Sequence, residues 1–283
     1  MTTVNASSLT DKDLDDYLER IGYEAVRAPT LETLAALHAL HPQAIPFENL
    51  DPLRLRPISL DSAVIHDKLV RGRRGGYCYE QNGLFKRVLE KLGFEVKGLM
   101  ARVMWFAPEG TITPRSHMIL RVVIDGRSYL ADVGFGGLVL TVRLLLDKSG
   151  EQSTPHELFR LVPMGEEICV QAKVREAWPA LYRFDLAEQL TMDYDSPNWY
   201  ACTHPASRFV NDLLAARAPV GMRYTLLNNH LTTRTVEGKK KQVLHSADEL
   251  RSVLENVFDI EVPGDAAMHA ALERIVLRGS HAA

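Results

Sequence analysis

The amino-acid sequence predicts a multi-domain α+β protein with three successive regions: helical over residues 1–93, antiparallel β over 94–192, and mixed α/β over 193–283. In the first region, apolar residues recur with helical spacing. From Phe94 to about Val142 the chain is rich in Val, Ile, Tyr and Phe with turn signals at short intervals, which is typical of antiparallel strands. Strand-like and helical segments are mixed in the last region. The 283 residues, 46% of them hydrophobic, suffice for one large core or several smaller ones.

The helical region predicts a bundle of four helices. Thr10 and Asp13 form a capping-box-like start for the first helix. Thr30 can cap the second helix, which Pro42 is expected to stop, and the fourth helix begins near Cys78. The apolar positions that carry the helical spacing of the first three helices are Leu14, Tyr17, Leu18, Ile21, Leu34, Leu37, Leu40, Val64, Ile65 and Leu69.

The rest of the chain predicts further strands and a well-marked helix. Residues 168–174, 224–227 and 232–236 have strand character. The basic run 239–241 follows a glycine and is predicted to be a solvated turn between two strands. A capping box at residues 246–249 precedes a helix. The apolar positions of that helix are Leu250, Val253, Leu254, Val257 and Phe258.

The composition argues against several functional classes. A net charge of −3 gives no sign of a surface for nucleic acid or for a membrane. The polar N-terminus predicts no signal peptide, and three cysteines, far apart and odd in number, predict reduced thiols in the cytoplasm. The sequence has no CxxC pair and no HExxH segment, so we expect no metal site.

The segment RRGGYCYEQNGLF places Cys78 at the predicted start of a helix, directly after a Gly-Gly-Tyr sequence. A helix N-terminus carries partial positive charge and unpaired N–H groups, which stabilise a thiolate. Arg73 and Arg74 are expected to add positive charge, and the glycine pair after them is expected to be flexible. These features predict a nucleophilic cysteine. The other cysteines, Cys169 and Cys202, lack such a setting.

A candidate base and its partner lie on a predicted hairpin. Asp125-Gly126 between apolar runs is a strong signal for a two-residue turn, which would pair Ile124 with Arg127. Counting back from the turn, His117 and Asp132 share a face as diagonal neighbours, roughly 7–8 Å apart at the backbone. The opposite, more apolar face is the expected core face. A three-residue turn with a bulge would instead separate the two side chains.

Each of these residues also has a common structural role when taken alone. A lone intracellular cysteine is most often a small buried hydrophobe, a histidine on a strand is usually structural or exposed, and an aspartate can simply end a strand. The combination favours a Cys–His–Asp triad, in which the aspartate fixes the imidazole tautomer and the histidine serves the thiol as its base.

With these residues identified, the sequence resembles the arylamine N-acetyltransferase family, bacterial type. RGGYCYEQN (residues 74–82) resembles the family's nucleophile motif, and IPFENL (45–50) resembles its upstream signature. SHMIL (116–120) and LADVGFG (130–136) resemble its His and Asp segments, and THPASRF (203–209) resembles a further family segment. The resemblance implies a helical bundle, a barrel-like β domain and an α/β lid built on a cysteine-protease-like core.

The resemblance also implies a reaction and a set of site residues. It implies ping-pong transfer of acetyl from acetyl-CoA, through a thioester on Cys78, to a small aromatic amine or hydrazine. The implied catalytic residues are Cys78, His117 and Asp132. The implied walls of the acceptor pocket are Phe47, Phe135 and Phe209. The implied contacts to coenzyme A are Thr113, Ser116, Gly134, Gly136, Tyr200 and Ser207.

Three alternative functions stay open at the level of sequence. The same triad could serve a thiol hydrolase or transglutaminase-like enzyme, which would need a cleft open to a peptide. A member of the same family could instead form amides in aromatic natural-product biosynthesis. A catalytically inactive module that binds coenzyme A is the third alternative, and the intact triad argues against it. The sequence leaves the oligomeric state open and is compatible with a homo-oligomer.

Overall fold

The computed structural model describes residues 9–108 and 110–280, so the predicted polar N-terminus at residues 1–8 lies outside the described part. The helices are α1 (Asp11–Ile21), α2 (Leu31–Ala44), α3 (Leu50–Leu53), α4 (Ser62–His66), α5 (Cys78–Lys91), α6 (Asp195–Thr203), α7 (Arg208–Asn211), α8 (Ala247–Asn256) and α9 (Ala266–Ser280). A π-helical turn (Asp67–Arg71) continues α4, and a 3₁₀ turn (Thr191–Tyr194) precedes α6.

The strands are short, and most belong to the second half of the chain. They are β1 (Phe47–Glu48), β2 (Glu95–Val103), β3 (Arg115–Ile124), β4 (Arg127–Ala131), β5 (Leu144–Leu145), β6 (Glu151–Ser153), β7 (Leu158–Met164), β8 (Glu167–Ala172), β9 (Ala180–Phe184), β10 (Leu214–Arg217), β11 (Met222–Leu227), β12 (His230–Thr235) and β13 (Gly238–Val243).

The first two helices begin where the sequence predicts. Thr10 caps α1 through a capping box with Asp13, and Thr30 caps α2 by accepting a backbone N–H of the first turn. The expectation that Pro42 stops α2 is wrong, because the helix continues to Ala44. The proline lies in the last turn, where its missing N–H removes one helical hydrogen bond and the turn after it still closes through the backbone.

The central strands form an antiparallel sheet in the order β5-β4-β3-β2-β9-β8-β7-β6. The side chain of Gln152 bridges its two edge strands. The amide of Gln152 in β6 donates to the Leu145 carbonyl at 2.9 Å and accepts from the Leu145 N–H at 2.8 Å. The sheet is therefore nearly closed and barrel-like, in agreement with the fold predicted for the central region.

A second antiparallel sheet, in the order β1-β10-β11-β12-β13, joins distant parts of the chain. β1 comes from the N-terminal region and pairs with β10. The prediction that the basic run 239–241 is a turn is wrong, because these lysines lie in β13, the exposed edge strand, and the turn falls just before them. Lysines at a sheet edge stay solvated and oppose pairing with another chain, so an edge strand accommodates the run.

Among the described residues, the buried apolar side chains form three clusters. One joins the helical region to the hairpin face that carries Met118 and Leu120, and another fills the barrel-like sheet around Leu99 and Ile119. The third lies under the C-terminal sheet and includes Leu50 of α3. The expectation of a single core face on the hairpin was therefore incomplete, since Ile119 and Leu130 of the other face are buried as well. No helix of the described part is long and apolar enough to span a membrane.

Candidate active site

Cys78 is the first residue of α5, as the sequence predicts. The helix start is fixed by Glu80, whose carboxylate accepts the Tyr77 backbone N–H at 3.1 Å. The cysteine is 5% exposed, and its Sγ lies 3.9 Å from the Ser116 carbonyl oxygen. The thiol is therefore sheltered from bulk solvent and lies in the electrostatic field of the helix N-terminus.

The glycines around Cys78 are positions of close packing. A Cβ at Gly75 would lie 2.0 Å from the Pro46 carbonyl oxygen, and a Cβ at Gly76 would lie 2.6 Å from the Glu80 carboxylate. On the opposite side, a Cβ at Gly134 would lie 2.7 Å from the Cα of Cys78. The expectation that the glycine pair is flexible is wrong, because the pair is packed against neighbouring segments that hold the nucleophile in place.

The predicted hairpin brings the candidate base and its partner together. The two-residue turn is confirmed, since β3 and β4 pair from Ile124↔Arg127 to Leu120↔Ala131. Beyond the last pair, His117 Nε2 and Asp132 Oδ2 lie 2.8 Å apart. His117 is 3% exposed and Asp132 is fully buried. The contact predicted from the hairpin register is therefore present.

Several groups hold Asp132 in place. Its Oδ1 accepts from the Asn82 side-chain amide and from the Gly134 N–H, each at 2.9 Å, and its own backbone N–H donates to His38 Nε2 at 3.0 Å. Sequence reasoning found neither Asn82 nor His38. Asn82 follows Cys78 by one helical turn, and this spacing places it on the same helix face. His38 lies in α2, and no local pattern connects it to the hairpin.

The buried pair shifts the proton affinity of both partners. Burial by itself would lower the pKa of His117, but Asp132 and Cys78 outweigh it and raise that pKa to about 10. Burial would raise the pKa of Asp132, yet His117, Asn82 and the Gly134 N–H together hold that pKa below its ordinary value. Because Nε2 of His117 faces Asp132, Nδ1 is the nitrogen left for the thiol. At this pKa the imidazole is protonated on both nitrogens, and so positively charged, at neutral pH. It can therefore pair with a thiolate.

A second group of buried charges lies beside the start of α5. Lys68 binds Asp51 at 2.8 Å and Glu80 at 2.7 Å, and Arg74 binds Glu48 at 2.7 Å. These side chains, together with the Arg54 that binds Asp51, interlock into a network that we call the charge cluster: Glu48, Asp51, Arg54, Lys68, Arg74 and Glu80.

The charge cluster changes the predicted role of the two arginines. Arg74 is committed to Glu48 and Asp51, and Arg73 pairs with Asp259 at 3.0 Å. The expectation that Arg74 adds free positive charge beside the thiol is wrong, because Glu48 and Asp51 already neutralise its guanidinium. Arg73 shares Asp259 with Arg20 and Arg217, so its contribution to the charge around the thiol stays a prediction.

Comparison with known proteins decides the family. Residues 30–267 match the sequence model described as N-acetyltransferase. The chain is 40% identical to the arylamine N-acetyltransferase of Mycobacterium tuberculosis, over 92% of this chain and 93% of that protein. This chain belongs to the arylamine N-acetyltransferase family. It is therefore an acyltransferase. The arylamine N-acetyltransferase of Escherichia coli is also 40% identical, over 90% of this chain and 91% of that protein.

Solved structures of the family have the same fold. The Mycobacterium marinum arylamine N-acetyltransferase superposes with a TM-score of 0.90 at 38% identity, covering 93% of this chain and 99% of that one. The same enzyme in complex with CoA gives a TM-score of 0.89 over the same shares. The Salmonella typhimurium enzyme gives 0.88 at 36% identity, over 95% of this chain and 100% of that one.

The three aromatic residues expected around an acceptor are all half-buried near the candidate triad. The ring of Phe135 lies 5.2 Å from the imidazole of His117, edge to face. Phe47 and Phe209 face each other at 6.2 Å between ring centres, and Phe209 also contacts Tyr77 at 5.2 Å. Two groups of rings therefore border the site, one beside the base and one beside the residue that precedes the nucleophile.

The residues that family resemblance assigns to coenzyme A have different surroundings. Thr113 and Ser116 are partly exposed, and Tyr200 is 48% exposed and stacked on His204 with ring centres 4.3 Å apart. Gly134 and Gly136 are buried. The hydroxyl of Ser207 is engaged elsewhere, because it donates to the Ala201 carbonyl and accepts the Phe209 N–H at the start of α7. Within residues 9–108 and 110–280, no group of three metal-ligating side chains comes together.

Proposed function

We propose that this enzyme transfers acetyl from acetyl-CoA to aromatic amines and hydrazines by a ping-pong reaction through an acetyl thioester on Cys78. The observation that carries the proposal is the buried His117–Asp132 pair next to a cysteine at a helix N-terminus, within a chain of this family. The relative from Mycobacterium marinum, solved in complex with CoA, supports the choice of donor.

In the first half-reaction, the thiolate of Cys78 attacks the acetyl carbonyl of acetyl-CoA. A bond forms between Sγ and the acetyl carbon, and the bond from that carbon to the sulfur of coenzyme A breaks. The departing thiolate of coenzyme A takes the proton that His117 holds. Thiol replaces thiol, so the step is nearly balanced in energy and the acetyl group is kept activated on the enzyme.

In the second half-reaction, the nitrogen of the acceptor attacks the acetyl carbon held on Cys78. The carbon–nitrogen bond forms, the carbon–sulfur bond breaks, and the proton lost by nitrogen moves to His117. This returns the thiolate and the protonated imidazole to their starting state. Asp132 keeps the histidine in one tautomer and orientation through both steps, while Asn82 and the Gly134 N–H restrain Asp132.

The acceptor and the donor need different surroundings. Weakly basic arylamines are neutral at physiological pH, so an aromatic slot suits them better than a charged clamp, and we assign its walls to Phe47, Phe135 and Phe209. For coenzyme A we retain the partly exposed Thr113, the exposed Tyr200, and the backbone around Ser116, Gly134 and Gly136. For Ser207 we propose an indirect role, in which it caps α7 and so positions Phe209.

The architecture that accompanies this function keeps the predicted division at residues 1–93, 94–192 and 193–283, with the last region as a lid. We also propose that the helix carrying Cys78 and the hairpin carrying His117 and Asp132 form a cysteine-protease-like core. The supporting observation is that the nucleophile and its base come from different regions and meet at the start of α5.

Intact-mass spectrometry after incubation with acetyl-CoA tests the covalent step. We expect one added acetyl group on the wild type, none on Cys78→Ala, and loss of the group when an arylamine is added. An adduct that persists in Cys78→Ala would contradict the proposal. Peptide hydrolysis without acetyl transfer would instead favour a thiol hydrolase, and absence of any adduct with intact binding of coenzyme A would favour an inactive binding module.

A further inference from the structure

A cavity of about 450 Å³ lies along α5, from Tyr79 near the start of the helix to Lys91 at its end. It is enclosed by α4, α5, the hairpin strand β3 and the segment before α6. Its lining includes Tyr79 and Met118, which directly follow Cys78 and His117 in the chain. The cavity therefore touches the backs of both segments that carry the candidate catalytic residues, and its volume falls in the range of small-molecule sites.

Two polar groups that line this cavity lack partners. The Tyr79 hydroxyl is buried and has no hydrogen-bond partner among the described residues, and the same holds for Nη1 of Arg87. Within that part of the chain, Arg87 donates only from Nη2, to the Leu60 carbonyl at 3.2 Å, and forms no ion pair. Arg87 as a whole is partly exposed, but a buried N–H without an acceptor is unfavourable, because it has lost its water and gained no hydrogen bond in return.

The other charges around the cavity are already paired. Lys86 binds Glu90, Lys91 binds Asp11 at 2.7 Å, and Glu188 binds Lys97 at 3.1 Å. Among the described residues, Arg87 is therefore the lining cation without a direct ion pair. Burial lowers its pKa, and the more distant Asp61 and Glu90 act in the opposite direction.

Gly83 keeps the floor of the cavity open. It lies inside α5, one turn from both Tyr79 and Arg87, where glycine weakens a helix compared with alanine. No close packing requires it, since an added Cβ would lie 3.7 Å from Arg87 Nη1, an ordinary contact. This contrasts with Gly75, Gly76 and Gly134, where a Cβ would collide with Pro46, the Glu80 side chain and Cys78, respectively. A bulky side chain at 83 would enter the space in front of the guanidinium.

We propose that this cavity binds a small amphiphilic carboxylate, whose anionic group pairs with Arg87 and accepts from the Tyr79 hydroxyl. The apolar part of the ligand would lie against Leu60, Ile65, Met118 and Leu190, which line the same space. A carboxylate fits the planar donor geometry of arginine and needs the hydroxyl as a further donor. The site is separate from the acceptor slot, because α5 and the hairpin lie between them.

Calorimetric titration of the full-length enzyme with octanoate, and with its neutral analogue octanamide, tests whether binding depends on the negative charge of the ligand. We expect one octanoate per chain, and binding of octanamide at least about tenfold weaker, as loss of a charged hydrogen bond implies. Arg87→Met should weaken octanoate by a similar factor and leave octanamide nearly unchanged. Lys86→Met, on the same helix but already paired with Glu90, is the matched control and should bind octanoate like the wild type.

A second pair of variants tests whether the ligand lies in this cavity, by reducing the volume of the cavity beside Gly83. Gly83→Leu should abolish binding of both ligands, whereas Gly83→Ala should keep binding and melt slightly higher than the wild type. Phe135→Ala should bind octanoate normally, since it belongs to the acceptor slot. The ¹³C-methyl NMR signal of Met118, assigned with Met118→Leu, should shift on addition of octanoate. Absence of binding to the wild type, binding that survives both Arg87→Met and Gly83→Leu, or a silent Met118 signal would overturn the proposal.

Discussion

The start of α5 lies between two sets of buried charges that are organised differently. In the charge cluster, the carboxylates of Glu48, Asp51 and Glu80 interlock with the cations of Arg54, Lys68 and Arg74. Asp51, Lys68 and Arg74 each have more than one partner in the cluster. On the other side, His117 and Asp132 form a linear pair that ends at a thiol.

This difference suits the charge cluster to holding the structure in place and the His117–Asp132 pair to exchanging protons. A network whose charges bind one another can hold the loop before Cys78, but its charged groups are directed at each other and not at the thiol. In the His117–Asp132 pair, only one side of the imidazole faces a carboxylate. Its other end faces Sγ, where charge can form and disappear during a reaction. We therefore expect changes in the pair to act on rate and changes in the cluster to act on stability.

The largest effect should come from breaking the catalytic pair. Asp132→Asn and His117→Asn should each slow acetylation of Cys78 by about 10³–10⁴-fold, and the double variant should be little worse than either, because the residues act as a unit. Stopped-flow measurement of acetyl-enzyme formation checks this. Losses that multiply in the double variant would show that the two residues contribute independently.

Breaking the charge cluster should act on stability almost as strongly. Arg74→Met leaves Glu48 without its cation and should lower the free energy of unfolding by about 3–5 kcal/mol. Urea denaturation measures this value. The rate of acetylation per folded molecule should change far less than in Asp132→Asn. In the double variant Arg74→Met/Glu48→Gln, part of the stability should return, because no charge is then left unpaired.

The pH dependence of stability should distinguish the charge cluster from the His117–Asp132 pair. The folded pKa of His117 is raised to about 10, so the stabilisation from its pair with Asp132 is complete below the unfolded pKa near 6.5 and is lost as pH rises through about 10. The difference in melting temperature between wild type and Asp132→Asn should therefore shrink over that window. Arg74→Met should show no such change relative to the wild type, because arginine keeps its charge there. A constant difference for Asp132→Asn would contradict the raised pKa.

A smaller effect is expected at the edge of the site. Phe135→Ala should slow transfer to an arylamine several-fold, since loss of an aromatic partner costs about 0.5–1.5 kcal/mol beyond the lost contact area. Acetylation of Cys78 without acceptor should be largely retained. The two half-reactions are measured separately, by formation of the acetyl enzyme and by its decay with acceptor. Equal losses in both, or a large drop in melting temperature, would identify Phe135 as core.

The smallest effect should come from the residue next to Arg74. Arg73 is half-exposed and pairs with Asp259 at the surface, so Arg73→Met should cost less than about 1 kcal/mol. The rate of Cys78 acetylation should stay at the wild-type value. A clear drop in that rate would show that Arg73 acts on the thiol after all, despite its surface partner.

Local signals in the sequence were sufficient for the parts of the site that depend on neighbours along the chain. The Gly-Gly-Tyr sequence and the helical spacing after it placed Cys78 at the start of α5, and the Asp-Gly turn fixed the hairpin register that joins His117 to Asp132. Both are short-range effects. A helix start depends on a few adjacent residues, and a two-residue turn determines every pairing behind it.

Contacts between distant segments could be decided only by the tertiary structure. His38 meets Asp132 across 94 residues, and Arg74 meets Glu48 across 26. No periodicity encodes such partners, so the sequence predicted free positive charge where the fold has ion pairs, and flexible glycines where it has close packing. The closure of the barrel-like sheet by Gln152 has the same origin. The sequence by itself predicted the candidate triad, because a helix start and a hairpin register are each set by residues close together along the chain. The tertiary structure decided which of the nearby charges are paired with one another, because the pairing of buried charges depends on elements that meet only when the chain is folded.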